Sequence, residues 1–388
     1  MKHPADLTPG MTLGQYVIER RIGAGGMGEV YEATHTGLNK RVAMKTLRRE
    51  HSDNEVVLGR FLREGKVASL IRHPNVVDVT DVGVIDGLPC LVMEYLEGDS
   101  LSDLLKREKK LALDHLVDLM LPVAAAVNAA HQQGVVHRDL KPANILLSRS
   151  WSGETQPKVL DFGISHVLED PGEVTRSGSS SFLGSPHYAS PELARGEHDL
   201  DARSDQYALG VILYEAATGV RPFAHRADSF MSLMYAISHG DFPPPRHHEP
   251  DLPQAFEQVV LRAMALEPRA RFASVFELGQ ALLPFASARG VLLWEPVFGR
   301  ADAARLLEPP AAAPATYLPS PRGPVPLPAP PPKQKATLRS VSYDLLRYAV
   351  AFTVGVAVSW GALRLVAGWK AGQADALSAP KGTIEATE

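Results

Sequence analysis

Between His137 and Asn144 the chain reads His-Arg-Asp-Leu-Lys-Pro-Ala-Asn. That one segment supplies a carboxylate (Asp139) able to orient a hydroxyl and accept its proton, an amine (Lys141) able to offset charge on a moving phosphoryl group, and an amide oxygen (Asn144) able to hold a metal ion. Asp161-Phe162-Gly163 follows a second apolar run and adds a further carboxylate for a cation and a glycine hinge. Any one of these triplets alone is a polar turn. In this order and spacing they describe phosphoryl transfer to a hydroxyl.

Upstream, Gly23-Ala24-Gly25-Gly26-Met27-Gly28-Glu29-Val30 forms a G-x-G-x-x-G-x-V pattern, in which glycines let backbone amides approach phosphate oxygens. By itself it is a weak signal. A P-loop would need Lys-Ser/Thr where Glu29-Val30 stands, and a dinucleotide fingerprint would need a helix where a β-rich run follows. Lys45 closes the apolar run Val42-Ala43-Met44. It reads either as a solvated edge lysine or as a charge held by phosphates and a carboxylate, for which Glu64 is the natural candidate.

The elements that must position these groups fall into two halves. β-rich runs occupy Tyr16 to Arg21, Glu29 to Ala33, Val42 to Leu47, Val76 to Val84 and Leu91 to Tyr95, interrupted by one amphipathic helix from about Asn54 to Leu70 that stops before His73-Pro74. From Leu101 onward the period is helical: Leu116, Leu119, Met120, Val123 and Val127 share a face and the helix closes near Gly134, with a kink expected at Pro122. Tyr207 to Ala217 is apolar nearly all round and ends at Gly219, as a central helix should.

Carrying these motifs, the chain resembles the bacterial eukaryotic-like (Hanks-type) Ser/Thr protein kinase family over about Tyr16 to Leu283. The resemblance implies an α+β, two-lobed protein kinase fold over 16–286, with a small antiparallel sheet plus one helix and a large, mostly helical lobe, after an N-terminal extension at 1–15. It implies ATP and Mg²⁺ (or Mn²⁺) as cofactors and Ser/Thr-bearing proteins as substrates. Ile22, Gly23, Ala24, Gly25, Gly26, Met27, Gly28 and Val30 would cover the phosphates, and Lys45 would hold them while pairing with Glu64. Ala43, the gatekeeper Met93, the hinge residues Glu94 and Leu96, and Leu146 would surround the adenine. Asp139 would be the base, Lys141 the phosphate-stabilising lysine, and Asn144 and Asp161 the ligands of two metal ions. Lys141, two residues after Asp139, marks serine/threonine specificity. Asp205 would pin the catalytic-loop backbone, and Glu192 with Arg271 would form a buried ion pair. Ser190-Pro191-Glu192 departs from Ala-Pro-Glu, and Ser185 stands where threonine is usual; both keep the chemistry open. A pseudokinase scaffold and an adaptor acting through its proline-rich linker are the alternatives.

Bulk properties bound the rest. A formal charge of −4 with pI near 6.4 provides no global positive field for nucleic acid, and the single cysteine, Cys90, excludes intramolecular disulfides and Cys-based zinc sites within one chain. Residues 1–10 carry no apolar stretch, so no secretory signal is expected there. Composition shifts to Pro and Ala over 300–340, an extended linker, and 346–369 then holds a candidate transmembrane helix, apolar from Tyr348 to Trp369 apart from Arg364. Lys333, Lys335, Arg339 and Arg347 precede it, which favours a cytoplasmic kinase side at the cell inner membrane, single-pass, with a short extracytoplasmic tail at 370–388. Ala351, Gly355 and Ser359 recur every four residues and suggest a homodimer. Thr175, Ser177, Ser179, Ser180 and Ser181 are candidate regulatory phosphoacceptors, with Arg138 as the receiver of loop phosphate.

Overall fold

The computed structural model describes residues 7–25, 28–48, 51, 54–150, 153–162, 186–197, 200–226 and 228–299. In the small lobe, β1 (Thr12–Leu13), β2 (Tyr16–Ala24), β3 (Gly28–His35), β4 (Lys40–Leu47), β5 (Val79–Ile85) and β6 (Leu88–Glu94) form an antiparallel sheet in the order β1-β2-β3-β4-β6-β5. The β5–β6 hairpin turns on Asp86-Gly87, both at positive φ (49° and 85°), the conformation that an Asp-Gly pair reaches at small cost.

Strand alternation divides this sheet into two faces. Val42, Met44, Cys90 and Val92 enter one core with Ile18, Tyr31 and Ala33, whereas Ala43, Leu91 and Met93 enter another with Phe61. Lys45 pairs across the sheet with Val30 on β3 and Leu91 on β6, and Ala43 pairs with Met93. Period 2 therefore carries Val30, Ala43, Lys45 and Met93 to one side of the sheet.

Helix α1 (Glu55–Ala68) begins where Asn54 accepts hydrogen bonds from the N–H groups of Val56 and Val57, and it buries Val57, Phe61, Gly65 and Ala68. The large lobe is built from α2 (Leu101–Glu108), α3 (Leu113–Gln132), α4 (Pro191–Ala194), α5 (Ala202–Thr218), α6 (Phe230–His239), α7 (Pro245–His248), α8 (Gln254–Ala263), α9 (Val275–Leu282) and α10 (Ala288–Phe298). Helix α3 continues through the buried Pro122 and is the one described helix long and apolar enough to cross a membrane, but most of it is buried as the core of this lobe. Gly219 caps α5 at φ 76°, a conformation that a side chain would strain. The packed unit runs past 286: Ser287 donates its hydroxyl to Asp118 at 2.5 Å and Phe298 is buried.

A second sheet, β7 (Gly98–Ser100), β8 (Ile145–Arg149) and β9 (Thr155–Val159) in the order β7-β8-β9, adjoins the segment before β5. There Val76 bridges Val159 in parallel and Asn75 donates through Nδ2 to the Pro157 carbonyl at 2.8 Å. The candidate transmembrane helix and the linker lie outside the described residues.

Candidate active site

The segment 137–144 hangs from one buried carboxylate. Asp205, in the first turn of α5, accepts the N–H of His137 through Oδ2 at 2.7 Å and the N–H of Arg138 through Oδ1 at 2.8 Å, and meets Nε2 of His131 at 2.7 Å. Burial pushes the Asp205 carboxyl up, but these bonds and the nearby imidazoles outweigh it and hold the group below the usual carboxylate range. The two amides fixed by Asp205 allow Arg138 a left-handed φ of 66°, and the next residue is Asp139. The imidazole of His137, fully buried, hydrogen-bonds the Leu160 carbonyl at 2.8 Å and packs on Phe162 with ring centroids 4.7 Å apart.

Around Asp139, Lys141 Nζ reaches Oδ2 at 2.6 Å, and Asn144 donates through Nδ2 to the Asp139 carbonyl at 2.8 Å and to Oδ2 at 3.3 Å. Lys141 and Asn144 thus share the Asp139 carboxylate. The Leu160 N–H donates to the Asn144 carbonyl at 2.9 Å, which brings the residue after it, Asp161, beside Asn144.

With Nδ2 of Asn144 committed to Asp139, its Oδ1 and the Asp161 carboxylate are the oxygen donors that would hold a cation. Two hard oxygen donors suit Mg²⁺ or Mn²⁺, which take one or two carboxylates and complete their shells with phosphate and water. Among the described residues no cluster of three or more His, Cys, Asp or Glu side chains could hold a metal ion.

The expected Lys45–Glu64 pair is replaced: among the described residues Lys45 Nζ forms its ion pair with Asp161 Oδ1 at 2.8 Å. A lysine whose side chain is 12% exposed takes the carboxylate that the backbone brings to it. Asp161, at a left-handed φ of 59°, turns toward β4, whereas Glu64 stays on α1. Burial pushes the Asp161 carboxyl up and the charge and hydrogen bond of Lys45 pull it further down, to below the usual range.

Of the residues expected around a nucleotide, Ala43 and Met93 are buried neighbours across the β4–β6 ladder, Val30 and Leu96 are partly buried against the same core, and Ile22 is exposed on β2. Gly23 and Ala24 pair with Val30 and Glu29, and Gly25 donates its N–H to the Gly28 carbonyl at 2.8 Å, closing the glycine turn. Gly26 and Met27 lie outside the described residues. Gly28 is required for a further reason: a Cβ there would lie 2.0 Å from the Thr46 carbonyl oxygen on β4. Leu146 sits on β8, paired with Ser100 of β7. Gly163 and the loop bearing Thr175, Ser177, Ser179, Ser180, Ser181 and Ser185 lie outside the described residues.

Sequence reasoning missed two groups. Lys158 meets Glu94 at 2.5 Å, and the same Glu94 oxygen accepts the Asp78 N–H at 2.9 Å, so the hinge side chain ties β6 to β9. His131 lies in the last turn of α3, and nothing in its sequence spacing points to Asp205. Further out, Arg271 grips Glu192 with two bonds of 2.8 and 2.7 Å.

The comparisons with known proteins agree with this geometry. The family model described as protein kinase domain matches residues 16–280. The chain is 41% identical over 268 residues to serine/threonine-protein kinase pkn3 of Myxococcus xanthus, covering 67% of this chain and 48% of that protein. It is 37% identical over 281 residues to PknH of Mycobacterium tuberculosis, covering 72% and 43% respectively. It thus spans about half or less of the length of these curated relatives. The crystal structure of the Mycobacterium tuberculosis PknI kinase domain superposes with a TM-score of 0.56 at 29% identity, covering 73% of this chain and 100% of that one. The matched domain, these relatives and the catalytic segment held by Asp205 place the chain in the bacterial Hanks-type serine/threonine protein kinase family.

Proposed function

We propose that this protein transfers the γ-phosphoryl group of ATP to serine or threonine hydroxyls of other proteins. The observation that carries the reading is Asp139 held by Lys141 at 2.6 Å in a loop whose two preceding amides are fixed by buried Asp205. Asp139 accepts the proton of the attacking hydroxyl, and Lys141 offsets charge on the phosphoryl group in transit. Lys45 supplies a positive charge to the phosphates. A divalent cation held by Asp161 and Asn144 would neutralise charge across the phosphate oxygens. Hydrogen bonds already formed within the loop lower the cost of orienting these groups at the moment of reaction.

Purified protein incubated with a divalent cation and labelled ATP tests this against Asp139→Asn, which should lower the rate by about 10² to 10⁴. Phosphate should land on serine or threonine. ATP binding without transfer by either protein would favour a scaffold of the same fold.

Finer readings rest on the sequence. Autophosphorylation within Thr175 to Ser181 would raise activity through charge-assisted bonds to Arg138, and alanine at all five hydroxyl positions should abolish that activation. The apolar run from Tyr348 to Trp369 supports a single-pass anchor with the kinase domain on the cytoplasmic side and supports dimerisation through Gly355. Alkaline extraction of membranes and crosslinking of Gly355→Leu would test these two points. We infer a role in signal transduction as part of the same reading.

A further inference from the structure

On the second sheet, a half-open cleft of about 330 Å³ is lined by residues of β7, β8, β9, α2 and α3. Its lining follows from strand and helix periods. Asp99 pairs opposite Leu147 and Thr155 opposite Arg149, so these four side chains share one face of the sheet. Leu104 and Arg107, three apart on α2, and His115 and Leu119, four apart on α3, form the walls. Leu146, expected against adenine, falls on the opposite face of β8, so the cavity and the nucleotide cleft sit on two sides of one strand.

The cavity combines an apolar floor with a cationic mouth. Leu104 and Leu119 are buried and Leu147 is partly so, while His115 and Arg149 are exposed. Asp99 is already neutralised by Arg107 at 3.1 Å. Among the described residues Arg149 makes no ion pair, so a positive charge is left at the mouth of a protein whose formal net charge is −4. The volume lies at the small end of ligand cavities, enough for one or two side chains of an extended segment.

We propose that this cavity docks an acidic segment of a partner protein. A leucine-sized side chain seats on Leu104, Leu119 and Leu147, and a flanking carboxylate pairs with Arg149 beside His115. Complementary charge sets the partner class, and the apolar floor makes the site more than a counterion patch. The inference adds partner selection to the proposed kinase, at a place the transfer chemistry does not use.

The test measures binding directly. A fluorescein-labelled peptide of glutamates around two leucines is titrated into the full-length protein, with saturating non-hydrolysable ATP analogue present or absent. The proposal expects binding that survives the nucleotide, weakens as salt is raised, and falls about tenfold or more in Arg149→Glu. It also expects no such loss in Arg269→Glu, an equal charge change at an exposed arginine outside the cavity. A lysine-for-glutamate peptide should not bind. The proposal is overturned by undetectable binding of the acidic peptide, by equal binding to Arg149→Glu, by displacement with the nucleotide, or by equally tight binding of free glutamate or inorganic phosphate. Transfer to a serine peptide lacking acidic residues, measured separately on Arg149→Glu, should match the unmutated protein; this separates a failed docking site from a failed kinase.

Discussion

Arg271→Met tests how the large lobe is held together. The guanidinium is almost wholly buried and makes five bonds: two to the Glu192 carboxylate, and others to the carbonyls of Ala265, Arg203 and Leu266 at 2.9, 2.8 and 3.4 Å. Glu192 is 4% exposed, and its carboxylate also accepts the Ser204 hydroxyl at 2.9 Å. Removing the arginine strands a buried carboxylate, at a cost of about 3–5 kcal/mol, which lowers Tm by about 6–20 °C for a domain of this size. Differential scanning fluorimetry of the single variants and of Glu192→Gln with Arg271→Met closes a double-mutant cycle. The double variant should recover part of the loss, because no unpaired charge then remains. The pH dependence supplies a sign. In the unmutated protein burial pushes the Glu192 carboxyl up and Arg271 pulls it below the usual range, so its contribution is present above about pH 4.3 and is lost as pH falls through the folded value. Without Arg271 burial dominates and the folded value rises, so the gap between variant and unmutated protein should narrow as pH falls toward about 4. A Tm loss under about 2 °C, or strictly additive single effects, would refute the reasoning.

Other expectations follow from the same geometry. Asp205→Asn keeps one acceptor oxygen and turns an NH₂ toward the amide of His137 or Arg138; an unsatisfied donor costs about 1–3 kcal/mol, which steady-state kinetics should register as a fall of about 5- to 150-fold in kcat with little change in the KM for ATP. Gly28→Ala forces a Cβ to within 2.0 Å of the Thr46 carbonyl, so β3 and β4 must part, and the KM for ATP should rise far more than in Gly25→Ala, whose nearest neighbour would be 4.0 Å away. Asp161, Glu192 and Asp205 all hold depressed folded values, so stability should be retained above about pH 4 and lost as pH falls further; a Tm that rises between pH 5 and 3 would contradict this.

The catalytic segment was legible in the sequence because its chemistry is local. His137 to Asn144 places base, lysine and amide within one turn-rich stretch, and short-range geometry alone brings Lys141 and Asn144 to Asp139. The small lobe was legible for a similar reason: period 2 assigns Ala43 and Lys45 to one face and Val42 and Met44 to the other, wherever the sheet later packs. Asn54 before the amphipathic run likewise states where α1 begins.

Tertiary structure decided what depends on separation across elements. Lys45 could meet Glu64 or Asp161, and only the placement of α1 against the sheet and the backbone turn at Asp161 chose the second. His131 and Lys158 carry no motif, and their partners Asp205 and Glu94 lie 74 and 64 residues away. The cavity under Arg149 needs three strands and two helices to exist. Residue types and spacing determine which groups a short segment can bring together, because backbone geometry spans only a few residues. Which distant charges pair is set by packing, where a shift of a few ångströms separates an ion pair from a solvated side chain.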